Sequence, residues 1–133
     1  MSGLVLKLAP KERVLINGAV IENGERRIRL SIRSPNAFIL RLKDAIHPDQ
    51  VTTPVRRVCY ALQLVLSGDA KADDMKLQIL RGIEQLSQVL RDADSRAALQ
   101  SATGHMLDQN YYQALKSLRA LLPREERLLA AAT

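Results

Sequence analysis

The sequence predicts an α+β fold: a small N-terminal antiparallel β-sheet, covering residues 1–50, followed by a C-terminal bundle of four to five helices over residues 51–133. Two observations carry this. Up to about residue 50, short apolar runs alternate with polar residues and are cut by Pro, Gly and Asn. From Thr53 onward the apolar residues recur at spacings of three and four, which is the helical period. A third observation concerns what holds such a fold together. With one cysteine, Cys59, in 133 residues, no intramolecular disulfide can form and a buried apolar core must supply the stability.

Taking the elements in order, Leu4, Leu6 and Leu8 form one face of a first strand, and Ala9-Pro10-Lys11 turns the chain. Val14 to Ile16 continues it to Asn17-Gly18, the dipeptide best suited to two positive-φ positions in a tight hairpin. Asn23-Gly24 repeats the signal, so the strand between must be very short. Between Arg26 and Arg33, Ile28, Leu30 and Ile32 point one way while Arg27, Arg29, Ser31 and Arg33 point the other. After Ser34-Pro35-Asn36, Phe38, Leu40 and Leu42 are expected inward, with Ile39, Arg41 and Lys43 outward as a second basic strand. Thr53 is a fitting N-cap, Pro54 a fitting first helical residue, and Gly68 a fitting C-terminal stop. A longer helix spans about Ala70 to Arg91, with Ile79, Ile83, Leu86 and Leu90 on one stripe and Gly82 as a mild internal defect. Asp94 or Ser95 caps a third helix rich in small residues. Asn110 with Gln113 resembles a capping pair for a fourth, in which Tyr111, Leu115, Leu118 and Leu122 share a face; Pro123 interrupts it before a short terminal helix.

Twenty Lys and Arg against fourteen Asp and Glu give a net charge of +6. The excess is denser at the start: nine basic residues face five acidic ones from Met1 to Gln50, and eleven face nine from Val51 to Thr133. Such a balance suits an anionic partner. The opening residues meet charge too early for a signal peptide, and no run approaches the ~20 apolar residues of a membrane span. A cytoplasmic protein with no membrane association is therefore expected. The chemistry of catalysis has no visible carrier. His47 and His105 stand far apart without a companion motif, Asp73-Asp74 and Asp92/Asp94 read as helix-end charges, and Cys59 sits in an apolar helical run as a buried thiol. No catalytic residue, metal site, cofactor or small-molecule substrate is expected.

Four segments together resemble the FlbT family of flagellum biosynthesis repressors: the opening LKL, the double turn NGAVIENG, PDQVTTPVRRVCYALQ, and YYQALKSLRALLPREERLL, in the family's order and spacing over about Leu4 to Leu129. The resemblance implies a non-enzymatic regulator that acts after transcription on flagellin mRNA, at its 5′ leader, repressing in most relatives and activating in some. It also implies protein partners, the small protein FlaF or flagellin itself. The segments Lys11 to Gly18 and Ile32 to Pro35, followed by Arg41, are similar to part of the mRNA-binding protein CsrA. Here Lys11 replaces a glycine, Asn17 is inserted before Gly18, and Arg41 comes one position early, a shift that reverses the face on a strand.

The candidate RNA-binding residues are Arg27, Arg29 and Arg33 on one strand face, Arg41 and Lys43 on the next, and Arg56 and Arg57 in the first turn of the first helix. There positive charge opposes the helix dipole and calls for a job or a carboxylate such as Asp49. Arginines spaced along a strand can track a phosphate backbone, and they are also what an ordinary solvated face shows. Phe38, Tyr60, Tyr111 and Tyr112 are the only aromatic residues, too few for a base-stacking platform. The candidate partner-binding residues are Tyr111, Tyr112, Leu118 and Leu122. A bundle this short has few internal faces, so part of its leucine-rich surface can serve a flagellar partner or a second copy in a homodimer.

Overall fold

Alternation in the first third builds strands that are short and paired out of sequence order. The computed structural model describes residues 4–132. Its strands are β1 (Leu4–Leu8), β2 (Arg13–Ile16), β3 (Ala19–Glu22), β4 (Ile28–Ile32) and β5 (Ile39–Arg41). Asn17 at φ 49° and Gly18 at φ 84° make the expected two-residue turn, which closes β2 on β3 with Ile16 opposite Ala19. Asn23-Gly24 does not repeat it. Asn23 is buried, and its side-chain amide donates to the carbonyls of Ala9 and Arg26, each at 2.8 Å. It pins the chain as it leaves β3, so that β4 pairs with β1 instead of β3. The single sheet expected from the sequence is thus two: a two-stranded outer sheet, β1-β4, and a three-stranded middle sheet in the order β3-β2-β5.

The middle sheet lies between the outer sheet and the helices. One of its faces sends Val14 and Ile39 into a small core with Leu6 and Leu8 of the outer sheet. The other sends Leu40, with Leu15 beside it, into the large helical core. Burial on both sides explains why β5 defies a one-sided alternation: Ile39 and Leu40 are consecutive and both buried. Past Arg41 the strand ends, and Leu42–Asp44 and Pro48–Gln50 form 3-10 turns, so the second basic strand does not extend to Lys43. Phe38 is at the surface, not inward, and stacks on Tyr111 with ring centroids 6.2 Å apart.

The helices are α1 (Pro54–Ser67), α2 (Ala72–Val89), α3 (Ala93–Leu107), α4 (Tyr111–Arg119) and α5 (Leu122–Ala131). Thr53 caps α1 as expected, accepting from the Arg56 N–H at 3.3 Å, and Gly68 ends it at φ 86°. Ile79, Ile83, Leu86 and Leu90 are all buried. Gly82 is not a defect but a contact: a Cβ there would stand 2.6 Å from Cγ2 of Val58, so its absence lets α1 and α2 approach. The cap of α3 is Asp92, accepting from the Ser95 N–H at 3.1 Å, in place of Asp94 or Ser95. Asn110 occupies the start of α4 without a side-chain cap bond, and the turn is made by Gln109 at φ 62°. The connector between the strands and α1 is fixed by side chains. Gln63 accepts from the Ile46 N–H at 2.6 Å and donates to its carbonyl at 3.0 Å, while Arg119 donates to the Asp44 carbonyl at 3.0 Å. Among the described residues, no helix is long and apolar enough to cross a membrane.

Candidate nucleic-acid interface

Pairing β1 with β4 creates a basic patch that neither strand has alone. Leu4, Leu6 and Leu8 face Ile32, Leu30 and Ile28 across the ladder; all but Ile28, which is exposed at the strand's start, pack into the small core. The outward residues are then Val5, Lys7, Arg29 and Ser31, with Lys7 directly opposite Arg29. Like charges opposed on neighbouring strands repel. Arg27 and Arg33 flank β4 in the same two-residue phase as Arg29, and all four cations are exposed, with no ion pair among the described residues. No described residue relieves the repulsion, and an anion laid across the face would relieve it. Lys7 was not among the residues the sequence singled out. Its outward phase was visible from the alternation of Leu6 and Leu8, but its neighbour depended on a pairing across more than twenty residues.

The other predicted cations are not part of this patch. Arg41 points between the sheets, where its guanidinium forms a two-pronged pair with Glu12, at 2.7 Å to Oε2 and 2.8 Å to Oε1, and donates to the Lys7 carbonyl at 2.6 Å. The Arg41 hydrogen bonds hold the buried Glu12 carboxyl at about 2 against the opposing effect of burial, helped by the Ala9 N–H. The same pair raises the Arg41 pKa further. Lys43 lies 4.0 Å from Glu12 and shares that carboxylate. An arginine engaged this way links the outer sheet to the middle sheet and is not free for a phosphate. Arg56 and Arg57 belong to α1, beyond the middle sheet from Lys7 and Arg29. Asp49 is not their partner, since its carboxylate lies 3.4 Å from His47.

The helical lobe offers a second surface. α1, α2 and α5 border an open groove of about 870 Å³, with Val58 and Gly82 on its lining and the exposed apolar side chains of Leu77, Val89, Leu128 and Leu129 around it. Arg57 and Arg81 stand on its margin, with no ion pair among the described residues. This is not the face the sequence indicated for a protein partner. Leu118 is fully buried in the core, Tyr111 is buried, and Leu122 packs against the same core. Tyr112 bridges the large and small cores. Leu118 in particular is out of reach of any partner. Cys59 is fully buried, and burial pushes its thiol up to about 12, so it is no nucleophile.

Comparison with known proteins places nearly the whole chain in one group. Residues 4–129 match the family model described as flagellar protein FlbT. Among curated relatives, the chain is 32% identical to the probable flagellum biosynthesis repressor protein FlbT of Mesorhizobium japonicum, over 95% of this chain and 84% of that one. It is 31% identical to the flagellum biosynthesis repressor protein FlbT of Caulobacter vibrioides, over 95% and 89%. A probable FlbT repressor of Rhodopseudomonas palustris is 33% identical over 96% of this chain and 98% of its own length. No solved structure gives a significant match.

Proposed function

The chain belongs to the FlbT family of flagellum biosynthesis repressors, and from that premise we propose that it acts on flagellin mRNA directly, binding the 5′ untranslated leader on the outer face of β1 and β4. Bound there, it blocks translation or exposes the transcript to decay, and it requires no catalytic group of its own. The observation that supports this reading is the uncompensated cluster of Lys7, Arg27, Arg29 and Arg33, with Lys7 and Arg29 in register. Contacts of this kind are to phosphates, and each steepens the dependence of log affinity on log salt by about 0.7 for a single strand. The test is binding of the purified protein to a labelled flagellin leader and to an unrelated RNA of equal length across a salt series. Preference for the leader at physiological salt is expected. Replacing Lys7, Arg27, Arg29 and Arg33 with Gln should weaken binding by roughly tenfold or more and lower the salt slope by about three. Equal, salt-labile binding to both RNAs, or a quadruple variant that binds normally, overturns it.

The groove on α1, α2 and α5 favours a second reading, in which the protein captures an amphipathic helix of FlaF or flagellin and affects the transcript indirectly. An apolar floor with unpaired arginines at the margin suits a helix with one leucine-rich face and carboxylates beside it. On this reading, Leu77→Glu with Leu129→Glu abolishes calorimetric binding of purified FlaF or flagellin, while the Gln variant of the basic face binds normally. Unchanged binding by the Glu variant removes the groove from consideration.

A further inference from the structure

The middle sheet extends beyond the layers that cover it. β3 is its edge strand, and all four residues of Ala19–Glu22 are exposed. Val20 is 62% exposed and Ile21 39%, and as neighbours on a strand they point to opposite faces. A bare edge with apolar side chains on both faces is a template for another strand, whose side chains would pack beside Val20 on one face and Ile21 on the other. The usual protections of a free edge are missing from it: it has no Lys, Pro or bulge, and its one charge, Glu22, is held by Arg13 on β2 at 2.8 Å.

The hydrogen-bond phase of β3 fixes what the free edge offers. Ala19 closes the two-residue turn opposite Ile16, and the Asn23 N–H donates to the Glu12 carbonyl at 2.8 Å. Residues 19, 21 and 23 therefore direct their backbone groups toward β2. The N–H and C=O of Val20 and Glu22 point outward, two residues apart and symmetric about Ile21.

We propose that this edge is a homodimer interface, in which a second copy of the chain adds its own β3 in antiparallel register and turns the three-stranded middle sheet into a continuous six-stranded one. Val20 stands opposite Glu22 of the partner subunit, and the two exchange backbone hydrogen bonds in each half. Ile21 meets Ile21 of the partner subunit on the two-fold axis, in a pair that is not hydrogen-bonded and brings the Cα atoms to about 4.5 Å. The register is self-complementary: no charge faces a like charge, and the axis passes through an apolar contact. These features select a second copy over an unrelated strand. The interface is separate from both the basic face and the helical groove, so it stands whichever of those is the working surface.

Sedimentation over a range from about 1 to 200 µM should show a monomer–dimer equilibrium. Val20→Lys with Ile21→Lys should be monomeric throughout, with unchanged circular dichroism and melting temperature, because both positions are exposed. Ile21→Cys should form a disulfide-linked dimer under mild oxidation, since a Cα separation of about 4.5 Å falls within disulfide geometry. Val20→Cys should cross-link far more slowly, and buried Cys59 should take no part. A wild-type protein monomeric across the whole range, a dimer that persists in the double Lys variant, or equal cross-linking at positions 20 and 21 would overturn the assignment.

Discussion

Glu12 and Arg41 show how a charge that looks like a binding group becomes a structural one. The carboxylate is buried and receives two guanidinium N–H groups of Arg41 and the Ala9 N–H at 3.0 Å. Its pKa falls from 4.5 to about 2 in the folded chain. A depressed carboxylate contributes stability that is fully present above its unfolded pKa and is lost as pH falls through the folded one. Chemical denaturation should therefore show stability falling between about pH 4.5 and pH 2, and Glu12→Gln should flatten that part of the profile. Arg41→Met at pH 7 leaves the buried carboxylate with only the Ala9 N–H and the more distant Lys43 and should cost about 3 kcal/mol. At this scale the sequence placed Arg41 on an outward basic face, whereas the structure pairs it between the sheets. Glu12, 29 positions away, gave no sign of being its partner.

Among the elements, α5 is tied to the start of α1 by one side chain. Pro54 has no N–H and Thr53 serves Arg56, so the Val55 N–H is left without an intrahelical acceptor. Glu125, buried on α5, accepts it at 2.9 Å, placing a carboxylate at the positive end of the α1 dipole. Beside it Arg124 lies 3.4 Å from Asp92, the cap of α3. The segment REERLL reads in sequence as an ordinary charged helix end, yet two of its charges close the bundle. Glu125→Ala should destabilise the protein by about 1–2 kcal/mol, read as a lower melting temperature together with faster hydrogen exchange at Val55. Glu125→Gln, which retains an acceptor, should lose less. The limits of α1 were legible because Thr53, Pro54 and Gly68 act locally. The end of β5 was not, because Arg41 to Lys43 keeps the alternation of a strand while the chain turns to let Asp44 meet Arg119.

Across the whole molecule, three surfaces lie on three different layers: the basic face on the outer sheet, the free edge on the middle sheet, and the apolar groove on the helices. A dimer through β3 would carry two basic faces, and two weak phosphate-binding faces on one molecule gain affinity through effective concentration. Substitutions on one surface should leave the other two intact, which makes the tests of RNA binding, partner binding and assembly separable. By itself the sequence determined the α+β class, the Asn17-Gly18 hairpin, the limits of α1 and the buried stripe of α2, because each follows from spacing and backbone preference within a few residues. Tertiary structure alone decided that β4 joins β1 and not β3, that Lys7 completes the basic face while Arg41 leaves it, and that Glu125 caps a helix seventy residues away. Those outcomes depend on which distant groups must share a buried contact, and periodicity carries no information about partners so far apart along the chain.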